Sequence, residues 1–407
     1  MQCGLLGETL CHSYSPQIHN MLGDYHYDLY EVAPDNLKLF LKSKQFDRLN
    51  VTIPYKKSVI PYCKKVSAIA KKLGSVNTII RDKNGNLIGH NSDYYGFSSL
   101  LDKSGLSVCA KKVLVLGSGG ASNTVCAVLR ERKANVVVIS RTGDNNYQNL
   151  HLHQDAAIIV NTTPVGMYPN NNVSPIDIDL FPHLEGVLDL IYNPSRTRLL
   201  LDAEKRGLIV ENGLWMLVAQ AKESAEWFVG HGIDNNKIPQ IYQTLQRQMQ
   251  NIILIGMPGS GKSTVGNLLA KSLGREFIDI DCKIEEAAGI SIPEIFSTQG
   301  EAGFRKLEHQ VLSEYTKLSN CVIATGGGAV TVPENYNLLK QNGVVIWLKR
   351  DISQLATNDR PLSQATSLEA MYTVRKPMYE ALADHTVFND ISPEHTVKQI
   401  LALEDIG

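Results

Sequence analysis

An excess of either charge is the first thing this chain lacks. Across 407 residues, 40 Lys and Arg face 41 Asp and Glu, for a formal net charge of −1. No basic field is available to hold a nucleic acid or an anionic membrane surface, so neither partner is expected. The seven cysteines (Cys3, Cys11, Cys63, Cys109, Cys126, Cys282 and Cys321) are odd in number and form no C-x-x-C pair. That speaks against a disulfide framework and against a zinc site, and leaves free thiols in a reducing compartment. Apolar runs fall short of the about 18–20 residues a bilayer-spanning helix needs. The N-terminus shows no basic stretch followed by an apolar run, so a cytoplasmic protein is expected. Internal repeats, low-complexity tracts and Pro/Gly/Ser-rich linkers are also missing. What remains is 43% hydrophobic and 20% charged residues, enough for several cores. At roughly 100–200 residues per domain, two to four domains are expected.

Two apolar, β-branched runs each lead straight into glycines: "KVLVLGSGGASNTVCAVL" (112–129) and "NIILIGMPGSGKSTVGNLLA" (251–270). Both read as strand, tight turn and helix, the opening of an α/β unit. Further short apolar runs follow at 135–140, 156–163 and 185–194, and then at 276–281, 321–328 and 343–350. Their alternation with helix-length segments predicts parallel sheets. The first ~100 residues read as another α/β segment, with 49–57 as a strand and turn. Helical spacing over 213–232 and 238–250 leads almost directly into the strand at Ile252.

The second glycine turn fits G-x-x-x-x-G-K-[ST] in its required context. Gly256, Gly259, Ser260 and Gly261 let backbone N–H groups wrap phosphates, with Ser263 and Thr264 beginning the helix whose N-terminus adds its positive end. Lys262 offsets β/γ charge and Ser263 offers a hydroxyl to Mg²⁺. Asp279 and Asp281 close the next strand, where a period of two puts both carboxylates on one face for Mg²⁺ and a nucleophilic hydroxyl. With "IFSTQGEAGFRKLE" (295–308), "TGGGAV" (325–330), "DRPLS" (359–363) and "VRKPMY" (374–379), residues 251–407 resemble the shikimate kinase family. That resemblance implies several roles. Asp281 would accept the substrate proton, and Asp279 would bind Mg²⁺. Arg305 and Arg375 would clamp a carboxylate by their bidentate forks. Gly327 and Gly328 would allow close approach, Phe296 and Phe304 would pack on the ring, and Arg360 would reach the transferring phosphoryl group from a lid. The lid segment departs from the family in having one arginine, with Ser363 where leucine is usual.

The first glycine turn, Gly117, Gly119, Gly120 and Ala121, is one position short of G-x-G-x-x-G. The following strand ends at Ser140-Arg141-Thr142, where an arginine instead of an acid favours NADP over NAD. Upstream, "HSYSP", "NVTIPYKK", "GSVNTI" and "GHNSDYYGF", with "NTTPVGM", "DLIYNPSRT" and "NGLWMLVAQA" later, occur in an order that resembles shikimate dehydrogenase over about 1–249. The resemblance implies that Ser13, Ser15, Thr52, Asn77, Tyr192 and Gln220 hold the substrate. It makes Lys56 and Asp93 the catalytic pair, and Gly213 a neighbour of the nicotinamide. A hydride added to a ketone leaves an alkoxide, and an ammonium paired with a carboxylate can supply its proton and stabilise its charge. Trp215 stands where the family commonly has glycine; it either narrows the cofactor slot or packs in the core.

The expected fold class is α/β. A substrate domain at 1–104, completed by helices at 213–249, adjoins a Rossmann-type NADP domain at 105–212; a P-loop kinase domain with a parallel sheet follows at 250–407. The resemblances imply a bifunctional dehydrogenase and kinase using NADP(H), ATP and Mg²⁺. It would reduce 3-dehydroshikimate to shikimate and then phosphorylate shikimate. Three other readings stand beside it: quinate oxidation with NAD, a kinase for another polyol acid such as gluconate, and a regulatory nucleotide sensor.

Overall fold

The computed structural model describes residues 1–10, 13–355, 367–404 and 406. Three sheets carry the architecture. The first holds β1 (Gln2–Gly7), β2 (His26–Glu31), β3 (Arg48–Val51), β4 (Cys63–Val66), β5 (Thr78–Arg81) and β6 (Leu87–His90) in the order β2-β1-β3-β5-β6-β4. It is mixed, because β5 runs antiparallel to both β3 and β6. The second holds β7 (Lys112–Leu116), β8 (Asn135–Ile139), β9 (Ile158–Asn161), β10 (Gly186–Asp189) and β11 (Ile209–Glu211) in the order β11-β10-β9-β7-β8, every pairing parallel. The third holds β12 (Asn251–Ile255), β13 (Glu276–Asp279), β14 (Cys321–Ala324), β15 (Gly343–Lys349) and β16 (His385–Phe388) in the order β13-β14-β12-β15-β16, again all parallel.

The central strands are apolar because helices cover both faces of a parallel sheet. In β12, Ile252, Ile253, Leu254 and Ile255 are all buried, as are Val113 to Leu116 in β7. Each such side chain stabilises its core by about 1.5–3 kcal/mol relative to exposure. In both sheets the glycine turn sits at the C-terminal end of a central strand, where the order of the sheet reverses and ligands bind in open α/β sheets.

The chain forms two compact units. One comprises Met1–Val165, Ser174–Tyr192 and Asp202–Thr244; the other Gly166–Val173, Asn193–Leu201 and Leu245–Gly407. The second unit therefore includes two short stretches of upstream chain. The Asn171 side-chain amide donates to Gln341 Oε1, and Gln341 Nε2 donates back to the Asn171 backbone carbonyl at 2.8 Å. The Arg196 guanidinium donates to the Gly343 carbonyl at 2.6 Å.

One expected element differs. Asp279 ends β13, but Asp281 lies in the first turn of the helix Ile280–Ala288 and not on the strand. The Asp279 carboxylate accepts from the Asp281 N–H at 3.0 Å and caps that helix. A side-chain cap satisfies an orphan amide that a continued edge strand would leave open, so the strand stops there. The two carboxylates are neighbours through the cap, not through a period of two. Among the described residues, no helix is long and apolar enough to cross a membrane.

Candidate active sites

In the first unit the C-terminal ends of β1, β3 and β10 and the helix Leu214–Val229 enclose a cavity of ≈ 400 Å³. Ser13, Ser15, Thr52, Lys56, Asn77, Asp93, Tyr192, Gly213 and Gln220 all line it. Lys56 Nζ donates to Asp93 Oδ2 at 2.6 Å, with about a third of the lysine side chain exposed (31%) and less of the aspartate (16%). Asp93 begins the helix Asp93–Ser104, so its charge sits at the favourable end of a helix dipole. Burial raises the Tyr192 hydroxyl above its ordinary pKa, and that ring meets Tyr14 edge to face at 6.3 Å.

The polar wall of the cavity is braced by a residue the sequence motifs do not single out. Ser92 donates its N–H to Asn77 Oδ1 at 2.7 Å, and its hydroxyl lies 3.0 Å from Asn77 Nδ2 and 3.2 Å from Gln220 Oε1. A hydroxyl that accepts from one amide and donates to the next fixes both side chains at once. Ser92 precedes Asp93 in "GHNSDYYGF", and that adjacency is the only sign of it in the sequence. Asn50 also lines the cavity.

The dinucleotide residues sit apart from the cavity lining except for Gly213. Gly117 has φ +104°, and Gly119 caps the helix Gly120–Glu131. A Cβ on Gly119 or Gly120 would meet nothing within 4 Å. Open space at a helix N-terminus is what a pyrophosphate requires. Ala121 lies in the same first turn. Ser140, Arg141 and Thr142 begin the turn after β8; Arg141 and Thr142 are exposed. The turn is tied by Ser140 N–H to the Asn145 carbonyl at 3.1 Å. Trp215 is partly buried and packs against the core of the second sheet, and it does not line the cavity. Its Nε1 donates to Ser99 Oγ at 2.9 Å, its ring meets Tyr242 at 5.4 Å, and Lys103 lies over both rings.

In the second unit the phosphate loop carries positive φ at Gly256, Gly259 and Gly261. Lys262 is buried and donates to the Gly256 and Met257 carbonyls at 3.0 Å each, spanning the loop. Ser260 is fully buried, and Ser263 and Thr264 are exposed on the first turn of the helix Lys262–Leu273. Ser263 Oγ donates to Asp279 Oδ2 at 2.6 Å. A hydroxyl and a carboxylate of this kind suit Mg²⁺, which takes few protein oxygens and keeps phosphate and water for the rest.

Opposite lie the residues expected to hold a carboxylated ring. A Cβ on Gly328 would fall 2.1 Å from Arg305 Nη2, and one on Gly326 would fall within 2.8 Å of oxygens of both Asp281 and Glu308. The glycine run is thus the floor over which Asp281, Arg305 and Glu308 converge. Arg305 Nη1 pairs with Glu308 Oε2 at 2.7 Å and Nη2 with Glu301 at 3.2 Å. Burial raises the Glu308 carboxyl above its ordinary pKa, and Arg305 partly counters that. Arg375 Nη1 donates to the Gly327 carbonyl at 3.2 Å, and Tyr379 donates to the same carbonyl at 2.6 Å. Phe296 and Phe304 stack at 4.7 Å. The helix that bears them, Ile292–Tyr315, breaks at Gly300 (φ +71°, ψ −176°). Glu308 and Tyr379 close their motifs, and the motifs alone assign them no role. Arg360 lies outside the described residues.

Comparison with known proteins bears on both sites. The family model described as shikimate kinase matches residues 258–404, and that of the shikimate dehydrogenase substrate binding domain matches residues 5–79. A shikimate dehydrogenase (NADP(+)) of Clostridium perfringens strain SM101 is 35% identical over 266 residues, 60% of this chain and 97% of that protein. A shikimate kinase of Synechococcus sp. strain CC9605 is 45% identical over 172 residues, 39% of this chain and 86% of that protein. The crystal structure of shikimate 5-dehydrogenase from Thermus thermophilus in complex with NADP(H) and shikimate matches with a TM-score of 0.55 at 29% identity. It covers 60% of this chain and 99% of its own. The chain belongs to both families, a shikimate dehydrogenase followed by a shikimate kinase in one bifunctional enzyme of the shikimate pathway.

Proposed function

We propose that the first unit reduces 3-dehydroshikimate to shikimate with NADPH, and that the second transfers the γ-phosphoryl group of ATP to shikimate, giving shikimate 3-phosphate. The observation that carries this reading is the Lys56–Asp93 ion pair inside a polar cavity of one unit, in a chain whose other unit holds a complete phosphate loop. The dehydrogenase part corresponds to 1–104 with 213–249 and 105–212, and the kinase part to 250–407. A cytoplasmic setting suits substrates that are small, soluble metabolites.

In the dehydrogenase site, bound NADPH supplies the hydride. Gly117, Gly119, Gly120 and Ala121 would hold its pyrophosphate, Gly213 its nicotinamide, and Ser140, Arg141 and Thr142 its 2′-phosphate; the guanidinium fork matches that group. Lys56 stabilises the oxygen that gains charge and gives it a proton, while Asp93 keeps the ammonium charged and aimed. Ser13, Ser15, Thr52, Asn77, Tyr192 and Gln220 hydrogen-bond the carboxylate and ring hydroxyls. A ring this polar must keep its partners when it leaves water.

In the kinase site, Mg²⁺ neutralises phosphate charge when bound, and Ser263 and Asp279 would hold it. Lys262 and the loop amides cradle the phosphates. Asp281 orients the attacking hydroxyl and accepts its proton. Arg305 and Arg375 clamp the shikimate carboxylate, with Glu308 fixing Arg305. Arg360 would offset charge on the transferring group.

Initial rates over a substrate panel test the assignment. Shikimate with NADP⁺ should exceed quinate with NAD⁺ in kcat/KM, and ATP consumption should require shikimate and not gluconate. ATP turnover independent of any polyol acid would overturn the kinase half in favour of a nucleotide sensor.

A further inference from the structure

The phosphate loop leans on a residue outside every motif that identified it. β16 ends at Phe388, and the next residue, Asn389, is 5% exposed. Its backbone N–H donates to the Lys349 carbonyl at 2.8 Å, which fixes the chain beside β15. Its side-chain Nδ2 donates to the carbonyl oxygen of Ser260 at 2.8 Å. Its Oδ1 accepts from Thr396 Oγ1 at 2.8 Å, and Thr396 is itself fully buried in the helix Pro393–Leu401. The amide has one possible orientation, because a carbonyl oxygen accepts and cannot donate, so the nitrogen must face Ser260.

The contact reaches the nucleotide end of the loop through one peptide plane. In a trans peptide the C=O and the following N–H point in opposite directions. Holding the Ser260 carbonyl on one side therefore directs the Gly261 N–H to the other. Gly261 has φ +90° and caps the helix Lys262–Leu273. A Cβ at Gly261 would lie 2.4 Å from Asn389 Nδ2. The last loop glycine is thus required twice, by its backbone angle and by the side chain that occupies the Cβ position. The same amide that excludes a side chain there also fixes the peptide.

We propose that Asn389 is a positioning residue for phosphoryl transfer: locked by Thr396, it pins the Ser260 carbonyl and so presets the Gly261 N–H for the phosphates of the nucleotide. This rests on the kinase reading of the second unit. It also explains why an amide is needed. An ionised carboxylate cannot donate to the Ser260 carbonyl and would add negative charge beside bound phosphates. A loop that must find its geometry on binding loses affinity for nucleotide, while the ring-binding floor, made of other residues, is unaffected.

The test uses the full chain with Asn389→Asp, Asn389→Ala and Thr396→Val. Calorimetry gives Kd for ATP-Mg²⁺ and for shikimate separately, and steady-state rates give KM for each. Asn389→Asp is expected to raise Kd and KM for ATP about tenfold or more at pH 8, with both constants for shikimate within about twofold. The defect should shrink as pH falls, because a protonated carboxyl regains a donor. Asn389→Ala should show a similar ATP defect without that pH dependence, and Thr396→Val a smaller one. ATP affinity unchanged in both Asn389 variants, or an equal loss for ATP and shikimate in protein that melts like wild type, overturns the proposal. ATP affinity is read without turnover. Wild-type protein that binds ATP yet leaves shikimate unphosphorylated would refute the kinase reading while Asn389 is still judged on nucleotide affinity.

Discussion

Lys56 and Asp93 sit 2.6 Å apart in a cavity that also gathers the polar side chains of Ser13, Ser15, Asn50, Thr52, Asn77, Tyr192 and Gln220. Replacing Lys56 with alanine removes the proton donor and the local positive charge. Dehydrogenation should fall by at least about 100-fold, with phosphorylation of added shikimate within twofold of wild type. Separate spectrophotometric assays check both. At the other site, Glu308→Gln leaves Arg305 without its buried counter-charge. KM for shikimate should rise about tenfold or more, and KM for ATP should stay near wild type. Both residues of the first pair were legible because each stands in a distinctive short string. Ser92 was not, since a serine beside an aspartate carries no pattern; its role comes from the fold bringing Asn77 and Gln220 to one hydroxyl. Glu308 and Tyr379 were visible as letters, but only the folded glycine run shows what they hold.

Among elements, the strands and glycine turns could be read because apolar runs ending in glycine have few other solutions. The site of Asp281 could not, since the cap formed by Asp279 competes locally with another residue of strand. Gly300 was similarly silent. Its φ of +71° with ψ −176° breaks the helix Ile292–Tyr315 just before Phe304 and Arg305. Gly300→Ala would force a side chain into a region used almost only by glycine, costing about 1–3 kcal/mol. Melting of the kinase unit should shift down and KM for shikimate should rise, as calorimetry and initial rates would show. In the first unit the helix Ser15–Leu22 buries His19 against Tyr27, with ring centroids 4.1 Å apart. Burial lowers its pKa to about 3. The unfolded chain holds it near 6.5, so folding requires the neutral form. The stabilising contribution is full above about 6.5 and is lost as pH falls toward 3. His19→Phe should therefore show a shallower decline in unfolding free energy between pH 6.5 and 4, measured by urea titration at each of several about evenly spaced pH values.

At the scale of the molecule, the described residues of each candidate site fall within a single compact unit. The order of the two families along the chain was readable from motifs alone. The inclusion of 166–173 and 193–201 in the second unit was not, because amide pairs such as Asn171 with Gln341 follow no periodicity. Two self-contained sites mean separable losses. Lys262→Ala should abolish phosphorylation, by at least about 100-fold, and spare dehydrogenation, the mirror of Lys56→Ala. The most direct measurement is a coupled assay of the purified chain with 3-dehydroshikimate, NADPH and ATP-Mg²⁺, omitting each in turn. Shikimate 3-phosphate should form only in the full mixture, with one NADPH oxidised and one ATP consumed per product. Phosphorylated product without NADPH, or NADPH oxidation that yields no phosphorylated product while ATP is present, would contradict two consecutive reactions on one ring.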